Sequence, residues 1–251
     1  MIQLPLTGKH ILLGRNKSEV SPLEERLRAA GARVTCVPLI EVHPLAEPDV
    51  SDVYLQPDIV VITSKNSVDG YGLLRPVLGD HVLAVVGKRT ADACEKRGFI
   101  PDIVGSGDGA VALLETLVAE NAGDGIRGKR ILYPCSSLVT DEFATRAADQ
   151  GAVVDMVPVY QTTMPDGLLE ALPDRADVVV FYSSSGARHF HEVKPFASVT
   201  NTVAVAMGVQ TATTLRSLGA PHVSVAKKPD VDALIDAIVA GVNPENREDC
   251  E

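Results

Sequence analysis

The feature that most narrows what this chain can fold into is its likeness to itself. GKHILLGR begins at Gly8 and GKRILYPC begins at Gly128, an offset of 120 residues (128 − 8). The same offset carries Gly31-Ala32 onto Gly151-Ala152, Val34 onto Val154 and Pro38 onto Pro158. Each copy reads as a strand, a helix, a Gly-Ala stop and a second strand. In the first copy Ile11–Leu13 is the strand, Leu23, Leu27 and Ala30 recur at helical spacing, and Gly31 supplies the residue that ends the helix. A second stretch repeats as well. PDIVVITSKNSV from Pro57 matches ADVVVFYSSSGA from Ala176, setting Asp58 over Asp177 and Ser64 over Ser183. VLAVVGKRTADACEKRG then matches VAVAMGVQTATTLRSLG, with Gly87 over Gly208, Thr90 over Thr211 and Gly98 over Gly219. The helical AVALLETLVAE and DVDALIDAIVAG close the correspondence, Leu113 over Leu234 and Leu117 over Ile238.

Strands that alternate with helices predict parallel sheets. The expected fold is therefore α/β: two doubly wound, flavodoxin-like parallel-sheet lobes related by internal duplication. A chain of 251 residues has room for two such lobes, and two copies of this length are duplicated domains, not a solenoid. Aromatic residues are only 4% and Trp is absent, so Val, Leu, Ile and Ala must build the core. That palette suits strands buried on both faces.

Charge and motifs remove several function classes. A net charge of −10 argues against nucleic acid or an anionic membrane as partner. No apolar run approaches the roughly 20 residues of a membrane span, and MIQLPLTGKHILLGR has no signal-peptide core. The expectation is a cytoplasmic monomer acting on a small molecule held between its lobes. Cys36, Cys94, Cys135 and Cys250 form no CxxC, so they are expected as reduced thiols without a disulfide. His189 and His191 lie two apart with no third ligand in view, so they read as surface residues, and no metal or cofactor is expected. Gly105-Ser106-Gly107-Asp108-Gly109 lacks the dinucleotide pattern and reads as a turn. No nucleophile elbow is present. Glu24-Glu25 and Asp141-Glu142 read as solvated helix faces, and residues 246–251 as a frayed tail.

Chemistry is expected where parallel sheets place it, outside the carboxyl ends of the strands. Ser64 follows Ile59–Thr63 and Ser183 follows Val178–Tyr182, each where a helix should begin. Gly87 to Ala91 and Gly208 to Ala212 likewise follow strands and open helices. Amides in a first helical turn favour anions such as carboxylate. Ser and Thr also cap helices with no ligand present, but the same features in both copies favour a site.

Taken in order and spacing, Val61-Ile62-Thr63-Ser64-Lys65-Asn66-Ser67-Val68, Val86-Gly87-Lys88-Arg89-Thr90-Ala91, Val157-Pro158-Val159-Tyr160 and Met207-Gly208-Val209-Gln210-Thr211-Ala212 resemble the uroporphyrinogen-III synthase family. The resemblance runs from Lys9 to about Val239. One departure is Gly14-Arg15-Asn16, where the family often has Thr-Arg-Pro. The resemblance implies that the chain crosses between lobes twice, at Pro38 to Pro44 and at Tyr160 to Pro165. Lobe one is then 1–40 with 162–245, and lobe two 41–161. It also implies a linear tetrapyrrole substrate, hydroxymethylbilane, cyclised to uroporphyrinogen III with inversion of ring D and loss of water. Tyr160 is carried over as the catalytic donor, or else as an aromatic that only packs. Arg15, Ser64, Lys65, Asn66, Gly87, Thr90, Ser183, Ser184, Ser185, Gly208 and Thr211 are carried over as substrate-binding. The alternative is a cytoplasmic two-lobed small-molecule binding or sensor protein without catalysis, which duplicated α/β lobes also describe.

Overall fold

The computed structural model describes residues 5–16, 22–53, 55–106, 109–120 and 125–243. The expectations for residues 246–251, Cys250 and Gly107-Asp108 lie outside them. In chain order the elements are β1 (His10–Leu13), α1 (Pro22–Ala29), β2 (Arg33–Cys36), β3 (Glu41–Pro44), β4 (Ile59–Ile62), α2 (Val68–Leu74), β5 (Val82–Val85) and α3 (Lys88–Glu95). Next come β6 (Ile103–Val104), α4 (Ala110–Glu120), β7 (Arg130–Ser136), α5 (Glu142–Asp149), β8 (Val153–Thr163) and α6 (Leu168–Ala171). The chain continues through β9 (Val178–Phe181), α7 (Ser184–Val193), β10 (Val203–Ala206), α8 (Val209–Ser217), β11 (His222–Val225) and α9 (Val231–Val242).

These elements fall into two compact units. One holds the chain up to Glu41 and from Thr163 onward; the other is Val42–Thr162. The first contains a 5-stranded sheet of order β11-β10-β9-β1-β2, and the second a 6-stranded sheet that reads β6-β5-β4-β7-β8-β3. The repeat pairs β1 with β7, β2 with β8, β9 with β4, β10 with β5 and β11 with β6. On that pairing the two orders coincide strand for strand, and β3 is an added edge. The pairings within both sheets are parallel from β11 to β2 and from β6 to β8.

The reason lies in the strand sequences. IVVI of β4, VVVF of β9 and VAVA of β10 are buried at every position, as strands covered on both faces require. In the first sheet Ile11, Leu13, Val178 and Val205 pack on Leu23 and Leu27 of α1 and Leu234 and Ile238 of α9. Their neighbours Leu12, Val179, Phe181 and Ala204 pack on the other face, against Phe190 of α7 and Leu215 of α8. The second sheet does the same with α2 and α3 on one face and α4 and α5 on the other.

Two repeated features of the sequence turn out to be architectural. Gly31 and Gly151 have φ of 92 and 83, a left-handed turn that glycine enters without strain. The next amides, Ala32 and Ala152, reach back to the carbonyls of Leu27 and Ala147 at 3.1 and 3.0 Å, closing α1 and α5. At the amino ends of the strands, Asp177 accepts the His10 amide at 2.7 Å and sits 3.7 Å from Lys9 Nζ. Asp58 repeats this with the Arg130 amide at 2.8 Å and Lys129 Nζ at 3.3 Å. The Arg130 amide, aided by Lys129, holds the Asp58 carboxyl below its usual range.

Two sequence expectations are corrected. His189 and His191 are not idle surface groups. His189 Nδ1 bonds the Leu39 carbonyl at 2.8 Å, and His191 accepts the Phe196 amide at 3.3 Å. Glu24 is not a solvated face either: its carboxylate binds Arg28 at 2.7 Å and lies 3.5 Å from the Cys36 thiol.

Cys94 and Cys135 are free thiols buried in the second unit, and burial pushes both up to about 11. An unfolded thiol titrates at about 8.5, so below that pH this contribution to stability is complete. As pH rises from about 9 to about 11 the unfolded chain sheds protons that the folded chain retains, and stability falls. Urea midpoints measured at pH 7.5, 9 and 10.5 are expected to decline across this range. A midpoint flat with pH would contradict the burial.

Candidate active site

Four strands end in the polar turns singled out above. After β4, Ser64 accepts the Asn66 amide on Oγ at 3.2 Å, and its carbonyl takes the Ser67 amide at 3.0 Å. It thereby opens a 3-10 turn, Lys65–Ser67, that runs into α2. After β9, Ser183 accepts the Gly186 amide at 3.1 Å and opens α7 directly. Both serines are helix caps. Lys65 is exposed, while Asn66 and Ser185 are half-buried. The Ser184 hydroxyl lies 2.9 Å from Thr214 Oγ1 on α8.

Gly87 precedes α3 and Gly208 precedes α8, both with extended backbone. A Cβ added at Gly208 would meet nothing within 4 Å, so the space over this turn is open. Thr90 and Thr211 are buried, 4% and 7% exposed. The Thr90 amide donates to the Gly87 carbonyl at 3.0 Å. The amides heading α3 are those of Lys88 and Arg89.

Arg15 follows β1 in a turn held by two bonds, Gly14 amide to Val180 carbonyl at 3.0 Å and Arg15 amide to Leu13 carbonyl at 2.8 Å. Only glycine fits before it: a Cβ on Gly14 would lie 2.6 Å from Leu39 Cδ1 and 2.8 Å from the Val180 carbonyl oxygen. Tyr182, at the end of β9, has a buried hydroxyl that Arg15 approaches, though among the described residues no group meets it at strict hydrogen-bonding geometry. Burial pushes this phenol up to about 12, while the Arg15 charge pulls the other way. The repeat places Cys135 where the first unit has Arg15, so the two units are not chemically alike.

Tyr160 owes its orientation to an irregularity. Cys135 pairs with Pro158 but Ser136 pairs with Tyr160, so the register shifts and Val159 is an extra residue. Such a bulge re-aims a side chain. Val159 and Tyr160 are therefore both buried on one core, Tyr160 at 8% exposure, among Val157, Ile62 and Val68. Sequence reasoning passed over three groups at this edge. Thr63 Oγ1 and the Tyr133 hydroxyl are 2.8 Å apart. Ser67 Oγ is buried and, among the described residues, has no partner. Thr63 and Ser67 stand inside the quoted Val61–Val68 motif, a signal available beforehand; Tyr133 had none.

The first unit thus brings Arg15, Ser183, Ser184, Ser185, Gly208 and Thr211 to the carboxyl ends of the adjacent strands β1, β9 and β10. The second brings Ser64, Lys65, Asn66, Gly87 and Thr90 to the carboxyl ends of β4 and β5, and Tyr160 to the point in β8 where its pairing with β7 ends. Among the described residues no group of three or more His, Cys, Asp or Glu is arranged to hold a metal ion. No described helix is long and apolar enough to cross a membrane.

A family model described as Uroporphyrinogen-III synthase HemD matches residues 21–236. The chain belongs to the uroporphyrinogen-III synthase family. A uroporphyrinogen-III synthase of Synechococcus elongatus is 27% identical over 95% of this chain and 97% of that protein. Porphyrin biosynthesis protein HemD of Ruminiclostridium josui is 25% identical over 94% of this chain and 49% of that protein, so the chain spans about half its length. Among solved structures, uroporphyrinogen-III synthetase from Helicobacter pylori superposes with a TM-score of 0.64 at 18% identity, covering 92% of this chain and 99% of that one. A mutant uroporphyrinogen III synthase from Thermus thermophilus gives 0.58 at 18%, covering 92% and 97%. These structures share the mixed α/β fold with parallel sheets. The family resemblance read from the sequence is confirmed.

Proposed function

We propose that the protein cyclises hydroxymethylbilane to uroporphyrinogen III, inverting ring D and releasing water. The observation that carries this reading is the doubling of polar strand-end turns, in a chain of this family. Two lobes that arose by duplication explain why the turns recur: each copy brings amides and hydroxyls suited to the acetate and propionate carboxylates of a tetrapyrrole. Arg15 and Lys65 add positive charge. The relatives give no support to a non-catalytic binding protein.

In this reading the Tyr160 phenol donates a proton to the terminal hydroxyl of the substrate, which leaves as water and exposes an azafulvene electrophile. Ring D then attacks through its substituted carbon, forms a spiro intermediate and recloses inverted. Without control the chain closes uninverted, so the protein's main contribution is orientation. The protein is proposed to act as a cytoplasmic monomer, with no cofactor.

The test is incubation with fresh hydroxymethylbilane, oxidation, and chromatographic separation of the type I and type III rings. Type III product in excess is the expected result. A type I ratio equal to that in buffer would overturn the assignment.

A further inference from the structure

Two hydroxyls tie the start of α7 to the start of α8. Thr214 is buried, 7% exposed, in the second turn of α8. Its Oγ1 lies 2.9 Å from Ser184 Oγ and 3.2 Å from the Gln210 carbonyl oxygen, and Ser184 Oγ lies 3.5 Å from that same oxygen. Three oxygens share two hydroxyl protons, so the cluster is internally satisfied whichever hydroxyl donates to the other. Ser184 is the first residue of α7 and Gln210 the second of α8. The cluster therefore bridges the turns that follow β9 and β10.

A buried hydroxyl is unfavourable unless bonded; the Gln210 carbonyl satisfies that of Thr214 within α8, and the contact with Ser184 is the part that reaches α7. The second unit has no counterpart, because the repeat sets Lys65 over Ser184 and Ala93 over Thr214. The clasp is thus specific to the first unit, and α7 and α8 are the helices it couples.

We propose that Thr214 is a positioning residue: by holding Ser184 it fixes the opening turns of α7 and α8 against each other, so that Ser183–Ser185 and Gly208–Thr211 meet substrate carboxylates as one rigid set. This rests on the reading of those turns as substrate-binding. Losing the clasp leaves the turns present but loosely spaced. Binding and isomer control then suffer more than the bond-making step.

The experiment compares Thr214→Val, Thr214→Ser, Ser184→Ala and the double variant Thr214→Val/Ser184→Ala in the full chain. With hydroxymethylbilane, Thr214→Val is expected to raise KM and the type I share about fivefold, the factor one neutral hydrogen bond commands, with kcat changed less. Thr214→Ser keeps the hydroxyl and restores both. The double variant is no worse than Ser184→Ala, because both remove one interaction. Hydrogen exchange reads the clasp without substrate: the Gly186 and Ala187 amides exchange about fivefold faster in Thr214→Val and normally in Thr214→Ser. Unchanged exchange in Thr214→Val overturns the clasp, whatever the activity. Faster exchange with unchanged KM and isomer ratio in an active enzyme overturns its positioning role. A wild-type protein inactive on hydroxymethylbilane sinks the proposed function instead, and exchange still decides the clasp.

Discussion

Tyr160→Phe is expected to lower the rate of type III formation about a hundredfold, the lower end of what a positioned proton donor contributes. The change is a clean one. Tyr160 is 8% exposed and packs among Val157, Ile62 and Val68, and phenylalanine keeps that packing while removing only the hydroxyl. Ser64→Ala and Ser183→Ala are expected to act differently. Each removes a cap to one amide, Asn66 or Gly186, at a stability cost of about 1 kcal/mol. Backbone amides at those turns survive the change, so turnover should fall only a few-fold. Single-turnover rates for the three variants, each checked for folding by near-ultraviolet circular dichroism, make the comparison. Small and equal losses at all three positions would leave Tyr160 as a packing aromatic.

Much of this molecule is legible before any coordinates, because its strongest signals are local and doubled. The all-apolar runs at Ile59 and Val178, the Gly-Ala stops at Gly31 and Gly151, and the caps Ser64 and Ser183 each rest on a few adjacent residues. They behave as their local chemistry dictates. What stayed hidden depends on partners distant in sequence. His189 looks idle by helical spacing, yet it bonds a carbonyl 150 residues away. Ser184 looks like a ligand group, yet its hydroxyl meets Thr214 across 30 residues. The bulge at Val159 is the clearest case. The repeat maps Pro38 onto Pro158 without a gap, so the extra residue has no trace in sequence spacing. It arises in the pairing of β8 with β7, and it decides where Tyr160 points. Which amides of α3 stay open is hidden for a related reason: whether the helix turns tightly onto the Gly87 carbonyl is a geometric detail of the first turn.

That same bulge is tested by Gly70→Ala, expected to cost about 3 kcal/mol of stability, the upper end for overpacking a core. Gly70 lies in α2, facing Val159. A Cβ there would overlap Val159 Cβ and stand 2.7 and 2.9 Å from its two methyl carbons. Relief by rotation is poor, since a β-branched side chain has few χ1 choices and the clash involves its branch point. Either α2 or the bulged backbone of β8 must move. Alanine also brings a helix-propensity gain of up to about 1 kcal/mol, which offsets part of the loss. Gly72→Ala in the same helix isolates that gain, because its Cβ would touch only the Phe99 ring, 3.4 Å away. The expected pattern in urea is a clearly lower midpoint for Gly70→Ala, an equal or higher one for Gly72→Ala, and an unchanged slope for both. Val159 adjoins Tyr160, so Gly70→Ala should also slow turnover under conditions where it remains fully folded, and Gly72→Ala should not. Equal midpoints and equal rates for the two variants would mean that α2 does not press on the bulge, and that Tyr160 is aimed by something else.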